Sequence, residues 1–509
     1  MKISKKIAAV FLSFVLVASF VLPSFAAGSK NQIVPVICVE GFGSKPLTQD
    51  ANTANEKVVF PPSSDVIKKA MTDMALPTVG LALVRNWNIY ADQIMPSIKS
   101  IIAPVACNAD GTSKYNVTVK FDKTLLAKDA DNMYRFDFDW RMDPMDTAKD
   151  LNSFIKYIKE QTGSDKVSLL SKSMGGAITM AYLYLYGSDD IEAIVMCSSA
   201  FNGVSFAGEQ YTRSVTIDKN AILGYADVFI PANTQGELIS LSLSALNAFG
   251  VFDQVMPIIA AFTYNLKDRL FMDVFNDTFG TMPGIWALVP PEYYESAKTV
   301  MFGSNPNATL IAKIDRYNYN VKCNVKKILQ DAIDKGVRLA ITSNYDLSGV
   351  PLTSKHDVQT DFLIDTVYTS GGATCAPLGK TLGKDYVQKV NDGHNHISPD
   401  NVIDASTCMF PEYTWFIKDL EHLKVNADYF AFADWFFNGN TQYNVFTNTA
   451  YPQFLQFNKA ANTITPQKYP AAAKTVMSQA AAKALLKTKL RLAQQSIMSK
   501  LQQKPGLLK

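Results

Sequence analysis

One serine lies in a strand–turn–helix pattern that is typical of a nucleophile. The run Val167–Leu170 has the branched and leucine side chains of a buried strand, and Gly175 and Gly176 open an Ala- and Leu-rich segment that favours a helix. Ser173 stands at the corner between the two. A sharp corner of this kind strains the backbone, exposes the serine hydroxyl and leaves the N–H of Met174 free to face an oxyanion. The pattern therefore predicts Ser173 as a nucleophile.

The pattern is short, and a Ser-x-Ser-x-Gly run also occurs in ordinary serine-rich loops. Its first small position, commonly a glycine, is Ser171, whose bulk is close to that of alanine. The prediction therefore depends on whether the chain supplies a base, an acid and a second oxyanion donor in suitable places.

Four histidines are available as the base, and all of them follow Ser173. His422 comes directly after a strand-like run at 413–418, so it is expected at the same edge of the sheet as the serine. His394 and His396 lie among turn residues, and two close histidines without a third ligand are a weak metal pattern. His356 follows no strand. We therefore expect His422 to be the base.

Two aspartates are candidates for the acid that orients the histidine. Asp346 follows the apolar run 337–343, which is where the simplest enzymes with such a triad carry the acid. Asp361 lies slightly later, in the segment 360–366. Position alone slightly favours Asp346, and both stay open at this point.

The second oxyanion donor is expected in a glycine-rich turn after the first strand. The apolar run 33–39 is typical of a strand buried on both faces, and it ends in Glu-Gly-Phe-Gly-Ser at 40–44. A turn at this place commonly supplies the second oxyanion N–H. The N–H groups of Phe42 and Met174 are therefore the predicted oxyanion donors.

The elements that must position these residues alternate between strands and helices. Apolar runs at 133–138 and 191–197 flank a helical pattern with apolar residues at Ala148, Leu151 and Ile155. This alternation predicts an α/β fold with a mainly parallel central sheet flanked by helices. The alternation of strands and helices stops between 201 and 330, where an apolar stretch predicts an inserted, mainly helical cap.

The ends of the chain differ from its body. Residues 1–26 have the basic start, apolar centre and small-residue site, with cleavage near Ala26, of a signal peptide, which predicts secretion or cell-surface association. The predicted α/β core covers 27–200 and 331–437, with the cap at 201–330 and a basic Ala/Lys/Gln-rich tail at 438–509.

Charge and cysteine usage exclude some classes of protein. Ten basic residues and no acidic ones follow Asp434, so the body of the chain is acidic, which argues against nucleic acid as a partner. The basic tail is instead a candidate for peripheral contact with a membrane or cell wall. Six cysteines are too few for a disulfide scaffold, and we predict one pair, Cys375 with Cys408. No metal or organic cofactor is implied.

Several motifs resemble those of the α/β-hydrolase group that contains the lecithin:cholesterol acyltransferases and secreted bacterial lipases. They are the strand that closes in Glu-Gly-Phe-Gly-Ser, the Asp-Phe-Asp-Trp-Arg segment at 137–141, the Ser-Lys-Ser-Met-Gly-Gly turn at 171–176 and the Pro-Gly-Ile-Trp-Ala-Leu-Val-Pro loop at 283–290. The resemblance covers about 33–204 and 336–437. Lys172 and Glu40 depart from it, since the group commonly has histidine and proline there.

The resemblance also bears on the acid. The acid of this group lies in Asp-Gly-x-Val, and Asp361 begins the similar segment 361–366, with Phe362 where glycine is usual. The resemblance thus carries the acid role to Asp361 and leaves Asp346 as the alternative.

Together the residues and the resemblance predict a secreted serine hydrolase that acts on carboxylic esters with an apolar part. Lipase, esterase, phospholipase or acyltransferase activity would all use Ser173, His422 and Asp361. The alternative is a catalytically silent secreted protein of the same fold that binds lipid or cell-wall surfaces through its basic tail.

Overall fold

The structure of the 509-residue chain is a computed structural model. It describes residues 34–120, 128–130, 132–216, 251–303, 307–422 and 424–469. The predicted signal peptide at 1–26, the cap residues 217–250 and the tail residues 470–509 lie outside the described residues.

A nine-stranded sheet organises the described part of the chain, with the strand order β14-β13-β12-β9-β8-β7-β1-β6-β5. Its strands pair in parallel from β6 to β13, and β5 and β14 add antiparallel edges. The strands of this sheet are β1 Val36–Val39, β5 Lys128–Ala130, β6 Met133–Phe136, β7 Val167–Lys172, β8 Ile191–Cys197, β9 Arg338–Tyr345, β12 Thr414–Lys418, β13 Phe454–Asn458 and β14 Thr463–Pro466. Two small sheets contain β2 Leu47–Gln49, β3 Lys57–Phe60 and β4 Val117–Val119, and β10 Thr374–Cys375 with β11 Ile403–Asp404.

Helices cover both faces of the central sheet. They are α1 Ser64–Val84, α2 Trp87–Ile102, α3 Pro144–Thr162, α4 Gly175–Tyr186, α5 Ser205–Tyr211, α6 Val251–Leu270, α7 Asn276–Thr278, α8 Pro283–Trp286, α9 Pro291–Phe302, α10 Ala308–Asn320, α11 Val325–Asp334, α12 Thr366–Thr369 and α13 Ala427–Phe437. Alternate residues of the strands enter two different hydrophobic clusters, one with α3 and α4 and one with α13. The central strands are apolar throughout because both of their faces are covered.

The crossover helix α3 shows how the sequence builds this layer. The Asp143 side chain accepts a hydrogen bond from Met145 N at the start of the helix, and Gly163 ends it with φ 67°. Leu151 and Ile155 recur at helical spacing and are fully buried against the sheet. The predicted α/β fold with a mainly parallel sheet is confirmed.

The central sheet extends further along the chain than predicted. The core was expected to end at 437, but β13 pairs with β12 and β14 pairs with β13, so the sheet continues to Pro466. Phe454, Leu455 and Phe457 are buried in this extension. A polar stretch rich in Asn and Thr separates the strands from the earlier core, and its composition resembles that of the tail. The predicted boundary at 438 is therefore wrong, and the tail begins after these two strands.

Two helices from an earlier segment of the chain also pack against the cap. The described residues of the predicted cap are mainly helical, as expected. Helices α1 and α2, which were assigned to the core at 27–200, pack against α6 through a cluster that contains Tyr90, Ile94 and Leu266. Two ion pairs also join α2 to the cap: Arg269–Asp92 at 2.8 Å to α6, and Lys99–Asp277 at 2.6 Å to α7. The sequence of neither segment indicates this contact, because the two segments lie far apart in the chain.

The cysteines are all unpaired in the structure. The predicted bond between Cys375 and Cys408 is therefore not formed. Cys408 is buried and Cys375 half-buried in a small cluster around β10 and β11, where both pack as small apolar side chains. Among the described helices, none is both long and apolar enough to span a bilayer.

Candidate active site

The turn between β7 and α4 has the strained geometry that its sequence predicts. Ser173 has φ 50°, in the left-handed region that non-glycine residues rarely adopt. Its N–H donates to the Cys197 carbonyl at 3.1 Å, and its own carbonyl accepts from Ala200 N at 2.9 Å. Bonds to the end of β8 on both sides of the residue therefore hold the strained turn in place.

The two glycines after the serine are required by close approach. A Cβ at Gly175 would lie 2.2 Å from the Val39 carbonyl oxygen and 2.6 Å from that of Glu40. A Cβ at Gly176 would lie 1.7 Å from Ser199 Oγ. The start of α4 therefore rests directly on the carboxyl end of β1, and a larger side chain would push the two apart.

The predicted serine, histidine and aspartate lie within hydrogen-bond distance of one another. His422 Nε2 is 3.0 Å from Ser173 Oγ, and His422 Nδ1 is 2.8 Å from Asp361 Oδ2. A carboxylate beside Nδ1 selects the tautomer with its proton on Nδ1, which leaves Nε2 to accept the serine proton. The arrangement can therefore deprotonate Ser173 and stabilise the imidazolium that results.

Asp361 is anchored by its own loop. Its Oδ1 accepts from Leu363 N at 3.1 Å and Ile364 N at 2.8 Å, and its side chain is fully buried. Its backbone carbonyl also accepts from His422 N at 2.7 Å. Phe362, at the position where the resembling group has glycine, has φ 84°. The loop thus directs the second carboxylate oxygen at the histidine.

The predicted oxyanion donors, Phe42 and Met174, lie at the ends of two adjacent strands. Within the residues that the structure describes, the N–H groups of Phe42 and Met174 donate to no protein acceptor. The Phe42 ring packs on Trp140 at 4.3 Å between ring centroids and on Phe60 at 5.7 Å. Two such backbone donors therefore follow the adjacent ends of β1 and β7, and the residue that provides one of them packs against aromatic rings.

The alternative acid, Asp346, lies elsewhere. Its carboxylate forms an ion pair with Lys418 at 3.0 Å, whereas the carboxylate that reaches His422 belongs to Asp361. Of the two candidate acids, Asp361 therefore lies within hydrogen-bond distance of His422, although sequence position alone slightly favoured Asp346.

The other three histidines also have structural partners. His356 Nε2 lies 3.2 Å from Thr216 Oγ1, and the His394 ring stacks on Phe446 at 4.3 Å. His396 is fully buried, with Nδ1 2.8 Å from Gln453 Oε1 and Nε2 2.8 Å from Asp392 Oδ2. No cluster of three or more potential metal ligands occurs among the described residues.

The loop at 282–290 joins the cap to the site. Gly284 N donates to the Arg141 carbonyl at 3.0 Å, and a Cβ at Gly284 would lie 2.1 Å from the Trp140 carbonyl oxygen and 3.0 Å from the Met174 side chain. Trp286 is buried nearby, and its Nε1 donates to the Gly280 carbonyl at 2.8 Å. The cap base therefore contacts both the Asp-Trp-Arg segment and the residue after the serine.

Sequence reasoning missed one feature beneath the site. Lys172 and Glu40, noted only as two separate departures from the resembling group, form an ion pair at 2.8 Å. The signal that could have found it is their opposite charge together with their common position, two residues before a predicted oxyanion donor.

Comparison with known proteins gives a partial match. Residues 141–219 match the model of the Hydrolase_4 family, which is described as serine aminopeptidase, S33. No curated protein matches the chain. Among solved structures, a chain from the crystal structure of the Tle4-Tli4 complex is similar, at 10% identity and a TM-score of 0.26, over 61% of this chain and 75% of that one.

The family match includes the predicted nucleophile and its strand. The matched residues lie where strands and helices alternate along the chain. The central sheet has the mainly parallel pairing of an α/β-hydrolase fold. The finer resemblance to the lecithin:cholesterol acyltransferases stays a prediction. The chain has the α/β-hydrolase fold, and its residues 141–219 are similar to the Hydrolase_4 family.

Proposed function

We propose that this protein is a secreted hydrolase of carboxylic esters that works through Ser173, His422 and Asp361. One observation carries the proposal: a continuous hydrogen-bonded chain runs from Ser173 Oγ through His422 to Asp361, at 3.0 and 2.8 Å. A serine without such a base is a weak nucleophile.

The reaction proceeds in two halves. His422 Nε2 takes the proton from Ser173 Oγ as that oxygen attacks the ester carbonyl, and the N–H groups of Phe42 and Met174 bind the resulting oxyanion. His422 then gives the proton to the leaving alcohol, and an acyl-enzyme remains. Water, deprotonated by His422, releases the acid and restores the serine. A bound alcohol in place of water would make the same residues an acyltransferase.

Two observations favour esters with an apolar part. The wall beside the predicted oxyanion donors is aromatic, with Phe42, Phe60 and Trp140 in mutual contact. The predicted cap insertion is also rich in apolar residues. An acyl chain of a lipase or esterase substrate fits such surroundings.

The description of the matched family raises an aminopeptidase as a second candidate. An aminopeptidase must bind the ammonium group of its substrate, and a free carboxylate is the usual partner for it. The carboxylates of Glu40 and Asp365 are engaged with Lys172 and with Ser205 N and Oγ. Neither of these two carboxylates is therefore free to bind an ammonium group.

The test compares esters with amides on the mature protein. Nitrophenyl esters of graded chain length should be hydrolysed, with Ser173→Ala reducing kcat by roughly 10⁴-fold or more. A fluorophosphonate probe should label the wild type and not the variant. Faster turnover of an aminoacyl nitroanilide than of any ester would favour the aminopeptidase, and no labelling of Ser173 would defeat both candidates.

Secretion and the basic tail are separate proposals. The N-terminal pattern supports export with cleavage near Ala26, which mass spectrometry of the mature chain would test. Peripheral contact with a membrane or cell wall through the tail would be lost on deletion of 470–509, while ester hydrolysis would persist. Binding that is unchanged by the deletion would remove the tail as the contact.

A further inference from the structure

A buried ion pair joins the two strands that carry the predicted oxyanion donors. Lys172 Nζ lies 2.8 Å from Glu40 Oε2, and the two side chains are only 8% and 6% exposed. The strands β1 and β7 are parallel neighbours, with Val39 opposite Ser171, so Glu40 and Lys172 follow at the same level. The pair therefore bridges the carboxyl ends of two adjacent strands.

Further contacts hold Glu40 in place. Its Oε1 lies 3.3 Å from Arg135 Nε and accepts from Cys38 Sγ at 3.4 Å. Burial opposes the charge on Lys172, but the carboxylate of Glu40 favours it, and the pKa of the lysine is raised. Burial also raises the pKa of the Cys38 thiol, which stays neutral, so Glu40 is the anion that balances Lys172.

The position of the pair relates it directly to the oxyanion donors. Glu40 lies two residues before Phe42, and Lys172 lies two residues before Met174. The backbone carbonyl of Glu40 also borders the space that a Cβ at Gly175 would fill, at 2.6 Å. Any shift of Glu40 relative to Lys172 therefore changes the separation of the two donors.

We infer that the Lys172–Glu40 ion pair is a positioning device for the oxyanion site, which sets the distance and direction between the N–H groups of Phe42 and Met174. Neither side chain touches the substrate in this role. The inference rests on the proposed function and deepens it, because it assigns a task to the two residues that depart from the resembling group.

A purely structural role is the competing explanation. A buried ion pair contributes little net stability compared with well-packed apolar residues, but removal of one partner leaves an uncompensated charge. A loss of activity alone would therefore not distinguish positioning from a damaged fold. The experiment needs a readout that reports on the oxyanion itself.

Such a readout is the ratio of kcat/KM for an ester and for its thionoester, in which sulfur replaces the carbonyl oxygen. Sulfur accepts hydrogen bonds weakly, so a thionoester depends less on the oxyanion donors. We would measure both substrates with the wild type, Lys172→Met, Glu40→Gln and the double variant. Lys166→Met is the matched control, because Lys166 pairs with Glu192 at 3.7 Å near the other end of β7 and is half-exposed.

The expected result is a loss of kcat for the oxygen ester of roughly tenfold or more in each single variant, with KM within about twofold of the wild type. The ester-to-thionoester ratio should fall with it, and Lys166→Met should leave the ratio unchanged. The double variant has no unbalanced lysine or glutamate, so it should recover thermal stability without recovering the ratio.

Equal losses on both substrates, or a loss of melting temperature with an unchanged ratio, would overturn the inference. If Lys172→Met did not fold, the ester-to-thionoester ratio of the double variant would be compared with that of the wild type instead. The wild-type measurements report separately on the proposed function: failure of the wild type to hydrolyse any ester would reject that function, whereas an active wild type with unaffected variants would reject only the positioning role.

Discussion

The two halves of the candidate site are held in different ways. The nucleophile half, with Ser173 and the N–H groups of Phe42 and Met174, is set by backbone contact between β1, β7 and the start of α4. The acid–base half joins Asp361 and His422, which lie 61 residues apart, and His422 lies 249 residues from the serine in sequence. One half depends on the close approach of backbones and the other on hydrogen bonds between loops.

This difference teaches where each half is vulnerable. Close backbone contact admits no added atom, so the nucleophile half should fail abruptly on a small increase in side-chain size. A network of hydrogen bonds can lose one charge and keep its shape, so the acid–base half should lose chemistry before it loses structure. Four experiments test this contrast.

We expect the largest effect from truncation of the chain, because it removes β13, the strand that pairs with β12 just before His422. A chain that ends at residue 438 lacks β13, whose Phe454, Leu455 and Phe457 are buried. Each such side chain contributes roughly 1.5–3 kcal/mol, a large share of the stability of a typical domain. We expect no cooperatively folded protein by circular dichroism and no activity.

A chain that ends at residue 469 keeps both strands and serves as the control. We expect it to unfold cooperatively and to retain ester hydrolysis. If the shorter chain folded as well as this one, β13 would not support the acid–base half.

The next effect concerns the nucleophile half. Gly175→Ala would place a Cβ 2.2 Å from the Val39 carbonyl oxygen, so the turn between β7 and α4 must move away from β1. We expect a loss of stability of about 3 kcal/mol or more, with activity abolished. The melting temperature and the rate of fluorophosphonate labelling would measure these changes.

Gly80→Ala is the matched control for that substitution. Gly80 lies within α1, and a Cβ there would meet nothing within 4 Å. Alanine should stabilise this helix by about 0.5–1 kcal/mol. An active Gly175→Ala variant would show that the backbones are not in tight contact.

A smaller structural but large chemical effect is expected in the acid–base half. Asp361→Asn should keep the hydrogen bonds from Leu363 N and Ile364 N but lose the charge that stabilises the imidazolium. We expect kcat to fall by roughly 10³–10⁴-fold with little change in melting temperature. Steady-state kinetics and calorimetry on the same samples would separate the two.

Asp346→Asn is the control for the acid. It removes only the partly exposed ion pair with Lys418, so kcat should stay within about threefold of the wild type and stability within about 1 kcal/mol. A larger kinetic loss in Asp346→Asn than in Asp361→Asn would exchange the roles of the two aspartates.

The smallest effect is a pH dependence in the loop that carries Asp361. Burial raises the pKa of Asp365, whose carboxylate accepts from Ser205 N and Oγ at 2.9 and 2.7 Å. A carboxyl with a raised folded-state pKa favours folding when protonated, so this contribution is present at low pH and is lost as pH rises through the folded-state pKa. Asp365→Asn carries no such titration.

The difference in melting temperature between the wild type and Asp365→Asn should therefore be more favourable to the wild type at pH 4 than at pH 7. Thermal scans at both values would measure it. A difference that does not depend on pH would mean that folding does not shift the pKa of Asp365.

Much of the fold could be predicted from the sequence, because its signals are local. The apolar runs of β1, β7 and β8 and the helical spacing of Leu151 and Ile155 predicted a parallel sheet with a crossover helix, as observed. The strands β13 and β14, at one side of the sheet, were missed, since they are short and follow a polar stretch. Their assignment depends on which strand they pair with, and pairing is a tertiary property.

The sequence by itself determined the turn that carries Ser173, because a small-residue turn between a strand and a helix is specified by residues only a few positions apart. It also limited the base to four histidines and the acid to two aspartates. The tertiary structure alone decided that Asp361 reaches His422 while Asp346 reaches Lys418. The physical reason is that these contacts join loops far apart in the chain, where a distance of about 3 Å depends on the packing of every element between them.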